Sequence, residues 1–193
     1  MPGLREFEIS TLINLALDCV ALNRGDDAEA YLIESQRDVG RPEFVSHNWR
    51  WQTRLADARA RLAVAQGKSA EADQAIVELF ERAELTHARK YLARGLMLRA
   101  ERHLQRGDLS AAECDLVAAA GHADQMCYFP IRAEARSKLR QLYEQTGSSA
   151  QVDRMRRELS DVIADLDRTL QQPDLRHSFE RGIASSVFSS DNK

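Results

Sequence analysis

Two short motifs, Trp51-x-x-Arg54 and Tyr91-x-x-Arg94, each set an aromatic ring one helical turn before a guanidinium, and the second repeats the first 40 residues further along. A guanidinium is a planar fork of donors that matches carboxylate or phosphate oxygens two at a time. Two such arginines one repeat apart can therefore clamp an anion. The same residues also admit a packing role, in which Trp51 and Tyr91 fill space between repeats and Arg54 and Arg94 pair with acids on neighbouring helices. The motif alone leaves both open.

Other reactive side chains form no comparable pattern. His47, His87, His103, His122 and His177 include no i,i+4 pair and no H-E-x-x-H, so metal binding and imidazole acid–base work have no sequence support. Glu78, Glu81 and Glu84 recur at i,i+3, which a solvated helix face explains without a pocket. Cys19, Cys114 and Cys127 are odd in number with no C-x-x-C, which fits reduced core thiols better than a disulfide frame or a zinc site. No Ser, Cys or Lys lies in a nucleophile motif. The sequence predicts neither catalysis nor a cofactor.

The elements that must carry these residues are set by a recurring punctuation. An apolar-periodic run stops at Gly107 and an alanine-rich one starts at once; similar breaks stand at Gly25, Gly67 and Gly147, giving spacings of 42, 40 and 40 residues. A fixed period of that size means stacked helix pairs. The spacing predicts A helices over Leu4 to Asn23, Glu43 or Phe44 to Gln66, His87 to Arg106, and Pro130 to Gly147. Their B partners are expected from Asp26 to Val39, from Ser69 to Glu84, from Leu109 to Ala120 with Gly121 as terminator, and from Ser149 to Leu170. Asp26 or Asp27, Ser69, Asp108 and Ser149 are the candidate caps. Pro173 to Phe179 would form a short closing helix. Five residues after each turn glycine stand Ala30, Ala72, Ala112 and Val152, and seven before it in the middle hairpins stand Ala60 and Ala100, small enough to let paired helices approach. The expectation is an all-α, right-handed α-solenoid of about four hairpins over residues 4–181, with residues 182–193 as a disordered tail.

Composition agrees with that class. Hydrophobic residues make up 44% and charged residues 30%, and nine Gly with four Pro are too few for a turn-rich β fold. A net charge of −3 encodes no general attraction to nucleic acid or an anionic membrane. No apolar run approaches the ~20 residues of a membrane span, and the first residues lack a signal-peptide pattern, so a cytoplasmic protein is expected.

The pattern resembles the tetratricopeptide repeat, with a small residue in mid-helix A, Gly-Asp at the turn and an alanine five residues after that Gly. Gly25-Asp26 with Ala30 and Gly107-Asp108 with Ala112 carry the match. The 40-residue period is similar to the MalT-like variety found toward the C-terminal end of large bacterial signalling ATPases, adenylate-cyclase-associated ATPases and LuxR-type regulators. WRWQTR at Trp49 to Arg54, ARKYLAR at Ala88 to Arg94 and PDLRHSF at Pro173 to Phe179 add to the resemblance. The fourth hairpin departs from it, with Gly147-Ser148, Val152, and Arg140 where a small residue is usual. The chain contains neither a G-x-x-x-x-G-K-[ST] phosphate loop nor a recognisable DNA-reading helix-turn-helix.

The resemblance implies a concave groove lined by A helices, its positions falling on Arg54, Asp57 and Arg61 in one hairpin and on Arg94, Met97 and Glu101 in the next, with Trp51 and Tyr91 nearby. Charge is also divided by helix type: the three later A segments hold 14 Lys/Arg against 5 Asp/Glu, and the first three B segments hold 3 against 14. A basic groove would attract an acidic protein or peptide; equally, A and B helices can neutralise one another. The sequence-level reading is a non-catalytic protein- or peptide-binding regulatory module of a bacterial signalling or transcription-regulating system. The alternatives are a small-molecule sensor domain and a structural or oligomerisation spacer of a larger ATPase, with self-association through the N-terminal hairpin.

Overall fold

A computed structural model describes residues 2–39, 48–170, 172 and 174–175. Among them are eight α-helices and no strand: α1 (Pro2–Ala21), α2 (Gly25–Asp38), α3 (Asn48–Ala65), α4 (Ser69–Leu85), α5 (Arg89–Gln105), α6 (Leu109–Gln125), α7 (Phe129–Gln145) and α8 (Ser149–Thr169). The odd-numbered helices are the A helices and the even-numbered ones their B partners. Each packs on its hairpin partner and on the first helix of the next hairpin, and α1, α3, α5 and α7 also pack in succession. Successive A helices pack on one another, most between α1, α3 and α5 and least between α5 and α7, while B helices meet each other little, which places the A helices on the inner layer of the α-solenoid. The proposed closing helix and tail fall almost wholly outside the described residues.

The turns account for the regularity. Left-handed residues stand at Gly67, His87, Gly107, Cys127 and Gly147, every twentieth position, and at Asn23. Around each, two crossed backbone bonds close the helix end: Gly107 N–H donates to Leu104 at 3.0 Å and Asp108 N–H to His103 at 2.9 Å, and the other turns repeat this. This Schellman pairing satisfies the last carbonyls and starts the next helix at once. Glycine takes the left-handed conformation in three of the A-to-B turns without the cost a Cβ would bring. His87 and Cys127 take it in the B-to-A turns despite that cost.

Several expected boundaries move. Asn23, not Gly25, is the left-handed residue of the first hairpin, while Gly25 opens α2. The small-residue position five later is therefore Ala28, fully buried, and Ala30 is exposed. Gly121 does not end α6, which runs on to Gln125, because the Schellman turn lies at Cys127. Asp108 does cap α6, accepting from the Ala111 N–H at 3.0 Å. The capping positions elsewhere are Arg24, Lys68 and Ser148, none with a side-chain cap, so Asp26, Asp27, Ser69 and Ser149 lie inside their helices.

The core runs as three linked clusters. Ile9, Ile13, Ala28 and Leu32 meet Leu55 and Leu62; Ala60, Ala72, Ile76 and Leu79 join α3 to α4; and Leu96, Ala100, Ala112, Leu116, Leu139 and Met155 join α5 through α8. Ala60, Ala72, Ala100 and Ala112 are fully buried, as close helix approach requires. At Gly95 the approach is closer still, since a Cβ there would stand 2.9 Å from the Phe80 ring of α4. No helix among the described residues is long and apolar enough to cross a membrane.

Candidate functional site

An open groove of about 270 Å³ crosses the inner face of all four A helices. Its floor is Leu17 and Val20 of α1, Val64 of α3, and Met97 and Leu98 of α5; its charged rim is Arg61, Arg94, Glu101, Glu134 and Lys138. Four of the eight sequence-assigned residues, Arg61, Arg94, Met97 and Glu101, thus line one cavity. Asp57 lies beneath it, against Arg61 and Arg94, whereas Trp51, Arg54 and Tyr91, also expected in the groove, are not among the residues that line it.

Asp57 holds this region together. It is 2% exposed, and its Oδ1 lies 3.1 Å from Arg94 Nε and 3.5 Å from Arg61 Nε. Neither the Asp57 oxygen nor the Arg94 Nε makes an aligned hydrogen bond, so the attraction is that of bare opposite charges. Two guanidinium groups share one carboxylate, which leaves this end of the groove one positive charge in excess. At the other end Lys138 lies 3.3 Å from Glu101, and Glu134 is exposed.

The two aromatic-x-x-Arg units act alike in one respect and differ in another. Both arginines reach back to the preceding A helix. Arg54 donates to Ser10 Oγ at 2.9 Å and to Asn14 Oδ1 at 2.7 Å on α1, with its guanidinium 5.4 Å from the Trp51 ring centre. Arg94 instead meets the buried Asp57 of α3. Trp51 packs against the first core cluster and Tyr91 against the second, so both rings also fill space between repeats. Burial raises the Tyr91 hydroxyl above its usual range and the Asp57 charge adds to this, against the opposing pull of Arg54, Arg94 and Arg50.

The division of charge between helix types is largely internal neutralisation. Arg99 of α5 grips Asp115 of α6 with two bonds of 2.8 and 2.7 Å. Asp73 of α4 pairs with Arg102 of α5 and with Arg106, the residue just past its end. Asp124 of α6 receives Arg132 and Arg136 of α7, which also reach Asp165 and Glu158 of α8. Burial works to raise the Asp124 carboxyl, but the bonds from Arg136 and Arg132 outweigh it and hold it below the usual range.

Among the remaining candidates, His87 sits in a turn, His103 lies 3.5 Å from Asp115, and the buried His122 Nδ1 has no hydrogen-bond partner. His47 and His177 are outside the described residues. Glu78 pairs with Arg82, and Glu81 and Glu84 are exposed. Cys19 is a core thiol, whereas Cys114 and Cys127 are exposed, contrary to the expectation of three core thiols. Among the described residues no group of three or more His, Cys, Asp or Glu is placed to hold a metal ion. Sequence reasoning missed Leu17, Val20, Leu98, Glu134 and Lys138 of the groove; the 40-residue period could have found Glu134, which it places on Arg94 one hairpin later. No family model, curated protein or solved structure matches the chain.

Proposed function

We propose that the protein is a non-catalytic regulatory or scaffold module that binds a segment of a partner protein along its inner groove. The observation that carries this reading is the groove itself, an apolar floor crossing four successive helices beneath a charged rim. Such a surface buries apolar side chains of a partner while the rim fixes their register. The excess positive charge where Arg61 and Arg94 share Asp57 favours a carboxylate or phosphorylated side chain at that end. The resemblance to MalT-like tetratricopeptide repeats supports a place in a cytoplasmic bacterial signalling or transcription-regulating system.

Ala21 and Ala65 line the groove and are exposed, so they can be enlarged without disturbing the core. The test is affinity capture of partners by wild type and by the Ala21→Glu/Ala65→Glu variant, with circular dichroism confirming the fold. The groove reading expects partners that the variant loses and that rising salt weakens, since exposed charges are screened over ~8–10 Å at physiological ionic strength. Equal capture by both proteins would refute it.

One observation favours a second reading, a spacer that stacks on another copy. Phe7 and Leu15 of α1 and Leu22 in the turn after it are 77%, 39% and 67% exposed, on the end hairpin of the stack.

A further inference from the structure

The exact 40-residue register of the second and third hairpins allows their side chains to be compared position by position, since α3 and α4 end where α5 and α6 do, 40 residues earlier. In the third hairpin Arg99, His103 and Asp115 form a cluster: Asp115 takes two bonds from Arg99, and His103 Nε2 lies 3.5 Å away. The corresponding residues of the second hairpin are Arg59, Ala63 and Ala75. The arginine is present, while the carboxylate and the imidazole are replaced by alanines. The fourth hairpin replaces all three, with buried Leu139, Tyr143 and Met155. The first, aligned on its Asn23 turn, has Leu15, Cys19 and Tyr31. Only the second keeps the charge without its partner.

That difference leaves a cavity. A cleft of about 260 Å³ between α2 and α4 is lined by Arg59, Ala63 and Ala75 together with apolar Leu32, Ile33 and Leu62. Arg59 is half-buried and forms no ion pair with a carboxylate among the described residues; it also borders a smaller cavity of about 70 Å³ that Glu78 lines. On the rim Lys68 lies 3.9 Å from Glu29 and 3.7 Å from Glu71, which leaves those two acids with one negative charge in excess. Ile33 is 54% exposed at this cleft.

We propose that this cleft is a binding site for a small monocarboxylic acid with an apolar body, whose carboxylate takes on Arg59 the place that Asp115 takes on Arg99. Arg99 shows what that guanidinium does in this framework, a two-bond grip on a carboxylate. The volume sets the size of the body. It exceeds the ~150 Å³ cavity that admits benzene and falls just short of the ~300 Å³ at which drug-sized sites begin. The excess acid on the rim disfavours dicarboxylates and phosphates. This site faces the outer layer and is independent of the inner groove.

The test is calorimetric titration of the purified protein with benzoate and with 4-methylpentanoate at millimolar concentration, with toluene and succinate as controls. Saturable binding of the monocarboxylates by wild type is expected, with at least a tenfold loss in Arg59→Met and in Ala75→Asp. The second substitution supplies the missing carboxylate from within, so it should close the site while leaving the melting temperature equal or higher. A capped Leu-Glu-Leu peptide forms a separate arm; tighter binding of the peptide than of the free acids would overturn the small-acid reading in favour of a partner's side chain. Absence of saturable binding of the free acids by wild type overturns the proposal, and so does binding that survives either Arg59→Met or Ala75→Asp. Neither outcome bears on the inner groove, whose variant leaves Arg59 untouched.

Discussion

Replacing Asp57 by alanine should be among the most damaging single changes in this chain. Its carboxylate is 2% exposed and is the shared counter-charge of Arg94, whose side chain is 17% exposed, and Arg61, which is 33% exposed. Removing one member of a buried pair typically costs ~3–5 kcal/mol, because the other charge stays desolvated without compensation. Arg61 is open enough to turn toward water and contributes little to that cost. Arg94 is enclosed by Asp57 and the packed A helices, and a modest gain comes from no longer burying the carboxylate. The expected loss is ~2–4 kcal/mol, which for a chain of this length lowers the melting midpoint by roughly 5–15 °C. Urea unfolding followed by circular dichroism would read it as a lower midpoint at unchanged slope. The double variant Asp57→Leu/Arg94→Met removes both charges and fills the space, so it should be more stable than Asp57→Ala alone. A change below ~0.5 kcal/mol in Asp57→Ala, within the range of ordinary surface substitutions, would refute the reasoning, as would a double variant less stable than the single one.

Ala72→Leu and Ala112→Leu, at fully buried contacts between paired helices, should each destabilise by ~1–3 kcal/mol in the same unfolding assay. Gly107→Ala puts a Cβ at a φ of 77° and should cost ~1–2 kcal/mol, whereas Cys127→Gly, at a φ of 49°, should leave stability unchanged or raise it. Burial and a 2.7 Å bond to Glu113 push the Tyr143 hydroxyl up to about 12 from an ordinary value of 10.0. The folded state therefore keeps that proton longer than the unfolded one, and stability from this group is complete below pH 10 and lost as pH rises to about 12; Tyr143→Phe should flatten that decline in alkaline unfolding curves. If the exposed Phe7, Leu15 and Leu22 of the first hairpin seat a second copy, sedimentation should show concentration-dependent association that Phe7→Lys abolishes.

The solenoid was legible because its signals are local. A left-handed glycine, a buried alanine five residues later and 3.6-residue apolar spacing each state part of the hairpin without reference to distant contacts. Where a signal had two readings the sequence misled: Asn23 and Gly25 both tolerate the left-handed turn, and the choice of Gly25 placed the contact alanine at exposed Ala30 instead of Ala28. Gly121 had the type of a terminator, yet mid-helix glycine costs only ~1 kcal/mol and the twenty-residue turn spacing overrides it. The site was half legible. The period found Arg54 and Arg94, but which partner each arginine meets, Ser10 and Asn14 or the buried Asp57, depends on the angle between successive A helices, which no spacing encodes. Asp57 was therefore assigned to the groove surface when it lies buried beneath it, and the contribution of α7 through Glu134 and Lys138 was missed. The vacancy beside Arg59 was written in the sequence as Ala63 and Ala75, but became readable only once the Arg99–Asp115 pair was in view.

A photo-crosslinking residue placed at Ala65 in the inner groove, and separately at the 52%-exposed Val117 on the outer B helix α6, tests the central claim most directly. Crosslinking in the cell followed by mass spectrometry should yield a protein adduct from position 65, suppressed by Ala21→Glu, and no matching adduct from position 117. An adduct from position 117 with none from position 65 would contradict recognition through the inner groove.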